Sequence, residues 1–156
     1  MDSHDAQMPA SGQQVRRPTE YLTQVRIDEL SQFSIFLLAK EGFTLQDVRA
    51  MVSTSKLYAS SKVIERIVGK PRHKKIGKNY DGALRLNAFQ SAVAFQFARV
   101  LEHATTVFGS LQLAEEWLQK PCRRLADLIP LTLVDNPVGF RVIEDYLGRV
   151  EFGVYQ

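Results

Sequence analysis

Apolar residues recur along this chain at helical spacing, in blocks separated by Ser, Thr, Asn, Gly and Pro. After Pro18, the residues Leu22, Val25, Leu30, Phe33, Phe36 and Leu37 fall close to the helical period, with Thr19 placed to cap the entering helix and Gly42 placed to end it. The stretch 34–38 also suits a short buried strand. Thr44 with Asp47 predicts a second helix start, and Leu45, Val48, Met51 and Val52 give that helix one apolar face. Ser-Thr-Ser at 53–55 breaks it. A third helix starts at Ser60 or Ser61, turns Val63, Ile64, Ile67 and Val68 inward, leaves Lys62, Glu65 and Arg66 opposite, and stops at Gly69 and Pro71.

Asn87 and Gln90 form a capping box for a long helix reaching Phe108, with Phe89, Val93, Phe97, Val100, Leu101, Ala104 and Phe108 along one side and Gly109 just past its end. Ser110 caps a short helix through Leu118, which Pro121 ends. Pro130 opens another short helix. Asn136-Pro137 opens the last, with Val138, Val142, Tyr146 and Val150 predicted inward. No stretch sustains period-two alternation. The expected fold class is all-α, with a helix-turn-helix-containing N-terminal part followed by a small helical domain.

The bulk numbers narrow this only a little. A length of 156 residues suits one ordinary domain or two very small ones. The longest near-continuous apolar run, 33–39, is seven residues and contains Ser34, whereas a bilayer span needs about 20. No basic start followed by an apolar stretch marks a secretory signal. Cys122 is the one cysteine, which excludes an internal disulfide and fits a reducing cytoplasm. Residues 1–17, rich in Ser, Gln, Gly, Asp and Pro, are expected to be a disordered tail.

Charge changes the picture more. Residues 1–55 hold five basic against seven acidic side chains, residues 56–85 nine against two, and residues 86–156 six against eight. The chain is mildly acidic around one strongly basic middle, which points to a local polyanion-binding surface. There the two short helices around 44–52 and 61–68 suit a helix-turn-helix, in which one helix braces and the second enters the DNA major groove. Ser61, Lys62 and Arg66 are the candidates for reading bases. Lys70, Arg72, Lys74, Lys75 and Lys78 are the candidates for phosphates. Five such phosphate contacts give a salt slope of about −4.5 on B-DNA. A solvated basic loop after an ordinary helix hairpin explains the same charges.

Catalytic patterns are absent: there is no Gly-x-Ser-x-Gly, no His-Glu-x-x-His, no Cys-x-x-Cys and no phosphate-binding loop around Gly69-Lys70 or Gly77-Lys78. His4, His73 and His103 lack ligand spacing, and His103 on the long helix suits a packed or surface histidine. Cys122 beside Arg123-Arg124 suits either a thiol of lowered pKa or a plain half-buried cysteine. The expectation is a non-enzymatic protein with no metal and no cofactor.

The C-terminal third joins Val107-Phe108-Gly109 and Trp117-Leu118 to Pro130-Leu131 and then to Gly139, Val142, Leu147 and Gly153. In order and spacing it resembles the toxin-binding domain of the MbcA/ParS/Xre antitoxin family. The preceding stretch 86–91 with Ala98-Arg99-Val100 resembles the start of that family's long helix. The sequence departs from the family pattern in having Ala126 and Asp127 where glycines are usual. It also has Ile129 where a capping Thr or Ser is usual, worth about 1 kcal/mol. The basic stretch 69–85 is expanded.

The resemblance implies a cytoplasmic antitoxin that binds and occludes a toxin, often of the RES-domain, NAD-depleting type, and that represses its own operon by binding operator DNA. The expected organisation is a tail at 1–17, a DNA-binding and dimerisation region at 18–103, and a toxin-binding domain at 104–156. Phe108, Trp117, Leu118, Leu131, Leu133 and Val142 are expected in the core. That leaves Arg141, Asp145, Arg149, Glu151, Phe152 and Tyr155 as candidate toxin contacts. Operator half-sites call for a homodimer, for which Phe33, Ile35 and Phe36 could supply the interface. A free-standing helix-turn-helix regulator and a purely protein-binding module are the alternatives.

Overall fold

The computed structural model describes residues 15–69 and 84–153. Eight α-helices are present among them: α1 (Pro18–Thr23), α2 (Gln32–Glu41), α3 (Leu45–Ser53), α4 (Lys56–Ser60), α5 (Val63–Val68), α6 (Ala88–Phe108), α7 (Leu111–Leu118) and α8 (Pro137–Glu151). Short 3-10 turns stand at Ile27–Glu29, Arg123–Leu125 and Pro130–Leu133. There is no strand among the described residues, only isolated bridges at Thr44–Arg85 and Cys122–Leu128. No described helix is long and apolar enough to cross a membrane.

The local signals form the helices for the reasons the residues dictate. Asn87 accepts from the Gln90 amide while the Gln90 side chain accepts from the Asn87 amide, so α6 starts with both groups of its capping box engaged. Thr44, Ser110 and Asn136 cap α3, α7 and α8 through their side-chain oxygens. Gly109 ends α6 in the left-handed region. Ile129 offers no side-chain cap to the 3-10 turn at Pro130.

The core surrounds α6. Val93, Ala94, Phe97, Ala98, Val100, Leu101 and Ala104 are buried there against Val48 and Met51 of α3, Tyr58 of α4, Val63 and Ile67 of α5, Leu118 of α7, and Ile143 and Leu147 of α8. Tyr58 packs edge-on to the Phe97 ring with centroids 5.6 Å apart and donates its hydroxyl to the Phe97 carbonyl at 2.7 Å. Leu45 and Leu86 exchange amide bonds with Leu84 and Phe43, closing residues 42–45 against 84–86. Gly42 is required there, because a Cβ on it would stand 2.1 Å from the Leu86 carbonyl oxygen.

Several expectations need correction. The long first helix is two helices. Gln24 turns left-handed at φ 68° and ends α1, and Ser31 caps α2 afresh. Thr19 is not a cap; it is buried, and its amide and hydroxyl donate to Glu102. The stretch 34–38 is helical, not a strand. Ser55 caps an additional helix, α4, which the polar run 53–55 concealed. Lys62, left-handed at φ 56°, separates α4 from α5, so the predicted start at Ser60 or Ser61 falls instead at the end of α4.

Phe89 is exposed on the first turn of α6, beyond the reach of the packed elements. The buried face of α8 is Ile143 and Leu147, while Val138 and Val142 are 71% and 45% exposed. Phe108, Trp117 and Leu133 are only partly buried against the core. The tail at 1–14, the basic residues Lys70, Arg72, Lys74, Lys75 and Lys78, and Tyr155 lie outside the described residues.

Ala126 and Asp127, which replace the usual glycines, adopt φ 56° and 61°. The left-handed region costs an L-residue roughly 1–2 kcal/mol, part of which glycine returns as greater unfolded-state entropy. Ala126→Gly should therefore raise stability by about 0.5 kcal/mol, read as a higher urea midpoint at unchanged m-value; a lower midpoint would contradict it.

Candidate functional site

The C-terminal segment is built on the end of α6. Phe108, Trp117 and Tyr146 stack in series, with ring centroids 5.4 Å and 5.6 Å apart. Together they join the C-terminal ends of α6 and α7 to the middle of α8. Burial raises the Tyr146 phenol above its ordinary value, and its contact with Cys122 adds to this. Gly139 sits where α8 crosses the 3-10 turn; a Cβ there would stand 2.3 Å from the Leu133 carbonyl oxygen. That close approach fixes the rotation of α8 and puts Ile143 and Leu147 inside.

The same rotation produces an outward row. Val138, Val142, Asp145, Arg149 and Phe152 follow one another at alternating spacings of four and three, the repeat of a single helix face. Arg141 is exposed beside them, and Phe152 is exposed at the end of the row. Asp145 and Arg149 pair across one turn at 3.2 Å. Of the predicted toxin contacts, the structure places Arg141, Asp145, Arg149 and Phe152 at the surface of α8 and its end. It turns Glu151 toward His103, whose Nε2 is 2.9 Å away.

The helix hairpin layer is fastened to this segment. Glu115 of α7 accepts from the Ser55 hydroxyl and the Leu57 amide, both at 2.8 Å, and so holds the first turn of α4. Arg66, a predicted base reader on α5, points inward. Its guanidinium bonds Asp135 at 2.9 and 3.3 Å, donates to the Leu131 carbonyl at 2.8 Å, and lies over the Phe97 ring at 4.9 Å. Its side chain is 25% exposed. Lys62 is exposed, and Ser61 is half-buried. The sequence reasoning missed Glu115, Asp135 and the two-carboxylate setting of His103, because their partners lie on other elements and no spacing announces them.

His103 lies between two carboxylates that favour its charged form. Its Nδ1 contacts Glu144 and its Nε2 contacts Glu151. The Glu144 bond raises its pKa above the ordinary histidine value, Glu151 adds to this, and burial works against it. No group of three or more metal-ligating side chains is suitably placed among the described residues.

This geometry defines a helical module: a C-terminal helix with an outward face, held by an aromatic cluster and joined to α3, α4 and α5. Residues 103–153 match the antitoxin Xre/MbcA/ParS C-terminal toxin-binding domain. A stretch of 74 residues is 30% identical to a protein named Antitoxin Xre from Photorhabdus laumondii subsp. laumondii, covering 47% of this chain and 50% of that relative. The matched stretch therefore spans about half the length of the relative.

The Arg66–Asp135 pair is partly buried and two-pronged, so it should stabilise measurably. A double-mutant cycle with Arg66→Ala and Asp135→Ala should return a coupling of about 1 kcal/mol in urea unfolding. Additive effects of the two substitutions would show that the pair does not join the layers.

Proposed function

We propose that this protein is an antitoxin that binds its toxin through the outward face of α8. The observation behind this reading is that Val138, Val142 and Phe152 are left exposed in one row with Arg141, Asp145 and Arg149, inside the segment that matches a toxin-binding domain. Exposed apolar side chains beside an Arg are the composition of an interface centre. The family resemblance and the name of the Photorhabdus relative support an antitoxin. A RES-domain, NAD-depleting toxin and a cytoplasmic site of action are the reading that goes with the family. Tyr155 remains a candidate contact.

A second role fits the middle of the chain. α3, α4 and α5 form a compact helix hairpin layer, Lys62 is exposed, and the run of Lys70, Arg72, Lys74, Lys75 and Lys78 follows Gly69. We read this surface as the operator-binding one, with Ser61 at its edge and Arg66 serving as a joint to the C-terminal segment. For the homodimer that such binding calls for, α2 is the candidate interface: Phe33, Phe36 and Leu37 are exposed, the Phe33 and Phe36 rings stack at 6.1 Å, and the helix has no buried residue. Exposed apolar side chains grouped on one helix in this way are normally covered.

Co-expression with the toxin gene adjacent to this one tests the first role. Val138→Asp with Val142→Asp should leave thermal stability nearly unchanged, since both side chains are exposed, and should weaken the complex by about 100-fold and abolish growth rescue. Undiminished rescue by that variant would remove α8 from the interface. For the second role, neutralising Lys62, Lys74 and Lys75 should reduce the magnitude of the salt slope of operator binding by roughly 2–3. An unchanged slope would assign the basic run to something other than DNA.

A further inference from the structure

We propose that His103 is a protonation-controlled clasp that fastens the last turn of α8 to the central helix α6, so that raising the pH releases Glu151 and loosens the turn that carries Phe152. The geometry leaves the ring little choice. Nδ1 faces a Glu144 carboxylate oxygen and Nε2 faces a Glu151 carboxylate oxygen at 2.9 Å. Carboxylate oxygens only accept, so both contacts are bonds only when both ring nitrogens carry protons.

The charged groups around the ring make the same demand. Glu144 and Glu151 face it from α8, and Arg99 faces it from its own helix. Arg99 bridges Glu144 at 3.3 Å and Glu102 at 3.7 Å. From α1 only the uncharged Thr19 enters the cluster, donating to Glu102 at 2.7 Å. Glu144 thus meets both the imidazolium and Arg99, whereas Glu151 meets the imidazolium.

A neutral imidazole keeps one N–H, so one carboxylate must lose its donor. Glu144 has a side chain 19% exposed and is also held by Arg99. Glu151 has a side chain 37% exposed and stands on the final turn of α8. The remaining proton stays with Glu144, and Glu151 then meets a bare lone pair. The turn that Glu151 anchors is otherwise closed by two terminal amides, Phe152 to the Gly148 carbonyl at 3.0 Å and Gly153 to the Val150 carbonyl at 3.1 Å.

The direction follows from linkage. The folded protein holds this proton more tightly than the unfolded chain, because both carboxylates favour the imidazolium. The stabilisation is therefore fully present below the ordinary histidine pKa and is lost as pH rises through the raised folded value. Lys or Arg in this place would give a permanent tie; histidine gives one that opens as pH rises above the ordinary histidine range. The device is independent of what binds α8, and its test needs no partner.

The test uses the full-length protein. The His103 ring is titrated by NMR, and protection factors for the Phe152 and Gly153 amides are measured at about pH 6 and about pH 9. The expected result is a His103 titration above the ordinary histidine value, with protection of both amides falling on the order of tenfold across it. Glu151→Gln, a partly exposed and conservative change, should lower the His103 titration point and make the amide protection the same at both pH values. A titration at or below the ordinary value would overturn the proposal. So would protection that does not change through the transition in the unmodified protein.

Discussion

Burial of α6 is the constraint on which the rest of this chain depends. The helix is 21 residues long, and it touches α1, α2, α3, α5, α7 and α8. Most of its buried surface is apolar, which favours compaction but is indifferent to which neighbour covers it. Buried polar side chains, Gln96, Glu102 and His103 among them, supply the discrimination. Gln96 donates to the Val134 carbonyl at 2.8 Å, Glu102 accepts from Thr19, and His103 meets Glu144 and Glu151. Each would be costly to bury without its partner. They therefore specify the turn before α8, α1 and α8 respectively, and thereby set the arrangement as well as its compactness.

Because the hairpin layer and the C-terminal segment share α6, they are not independent bodies joined by a linker. Glu115 holds the start of α4, and Arg66 holds the turn before α8 through Asp135 and the Leu131 carbonyl. Both ties join charged or polar groups across the layer boundary. A displacement of α8 at its outward face is thus mechanically connected, through the 131–135 turn, to α5. The side chain that looked like a free reader of bases is the tie itself.

What was legible in the sequence was what is decided locally. Asn87 with Gln90, Thr44, Ser110, Gly109, Pro130 and Asn136 mark helix ends because their side chains or backbone preferences act within a turn of themselves. The buried face of α3 was also legible, since its apolar residues form one stripe. The face of α8 was not. Val138 and Val142 compete with Ile143 and Leu147 for the interior, and periodicity alone cannot choose between them. The contact of Gly139 with Leu133 chooses, and it depends on how the 3-10 turn packs. The partners of Arg66 and His103 were illegible for a related reason: Asp135, Glu144 and Glu151 lie 41 to 69 positions away, and nothing in the spacing announces them.

The residues that identify the C-terminal segment and those proposed to do its work therefore divide along a physical line. Phe108, Trp117 and Tyr146 pack where the ends of α6 and α7 meet the middle of α8, half-buried and pinned by one another, so substitution there disturbs the scaffold first. The apolar members of the outward row, Val138, Val142 and Phe152, are exposed and gain nothing from facing water. A fold that spends a rigid aromatic joint and a close glycine contact on the rotation of α8 has fixed the direction of that row. The persistence of exposed apolar side chains on it is then best explained by a partner surface that covers them.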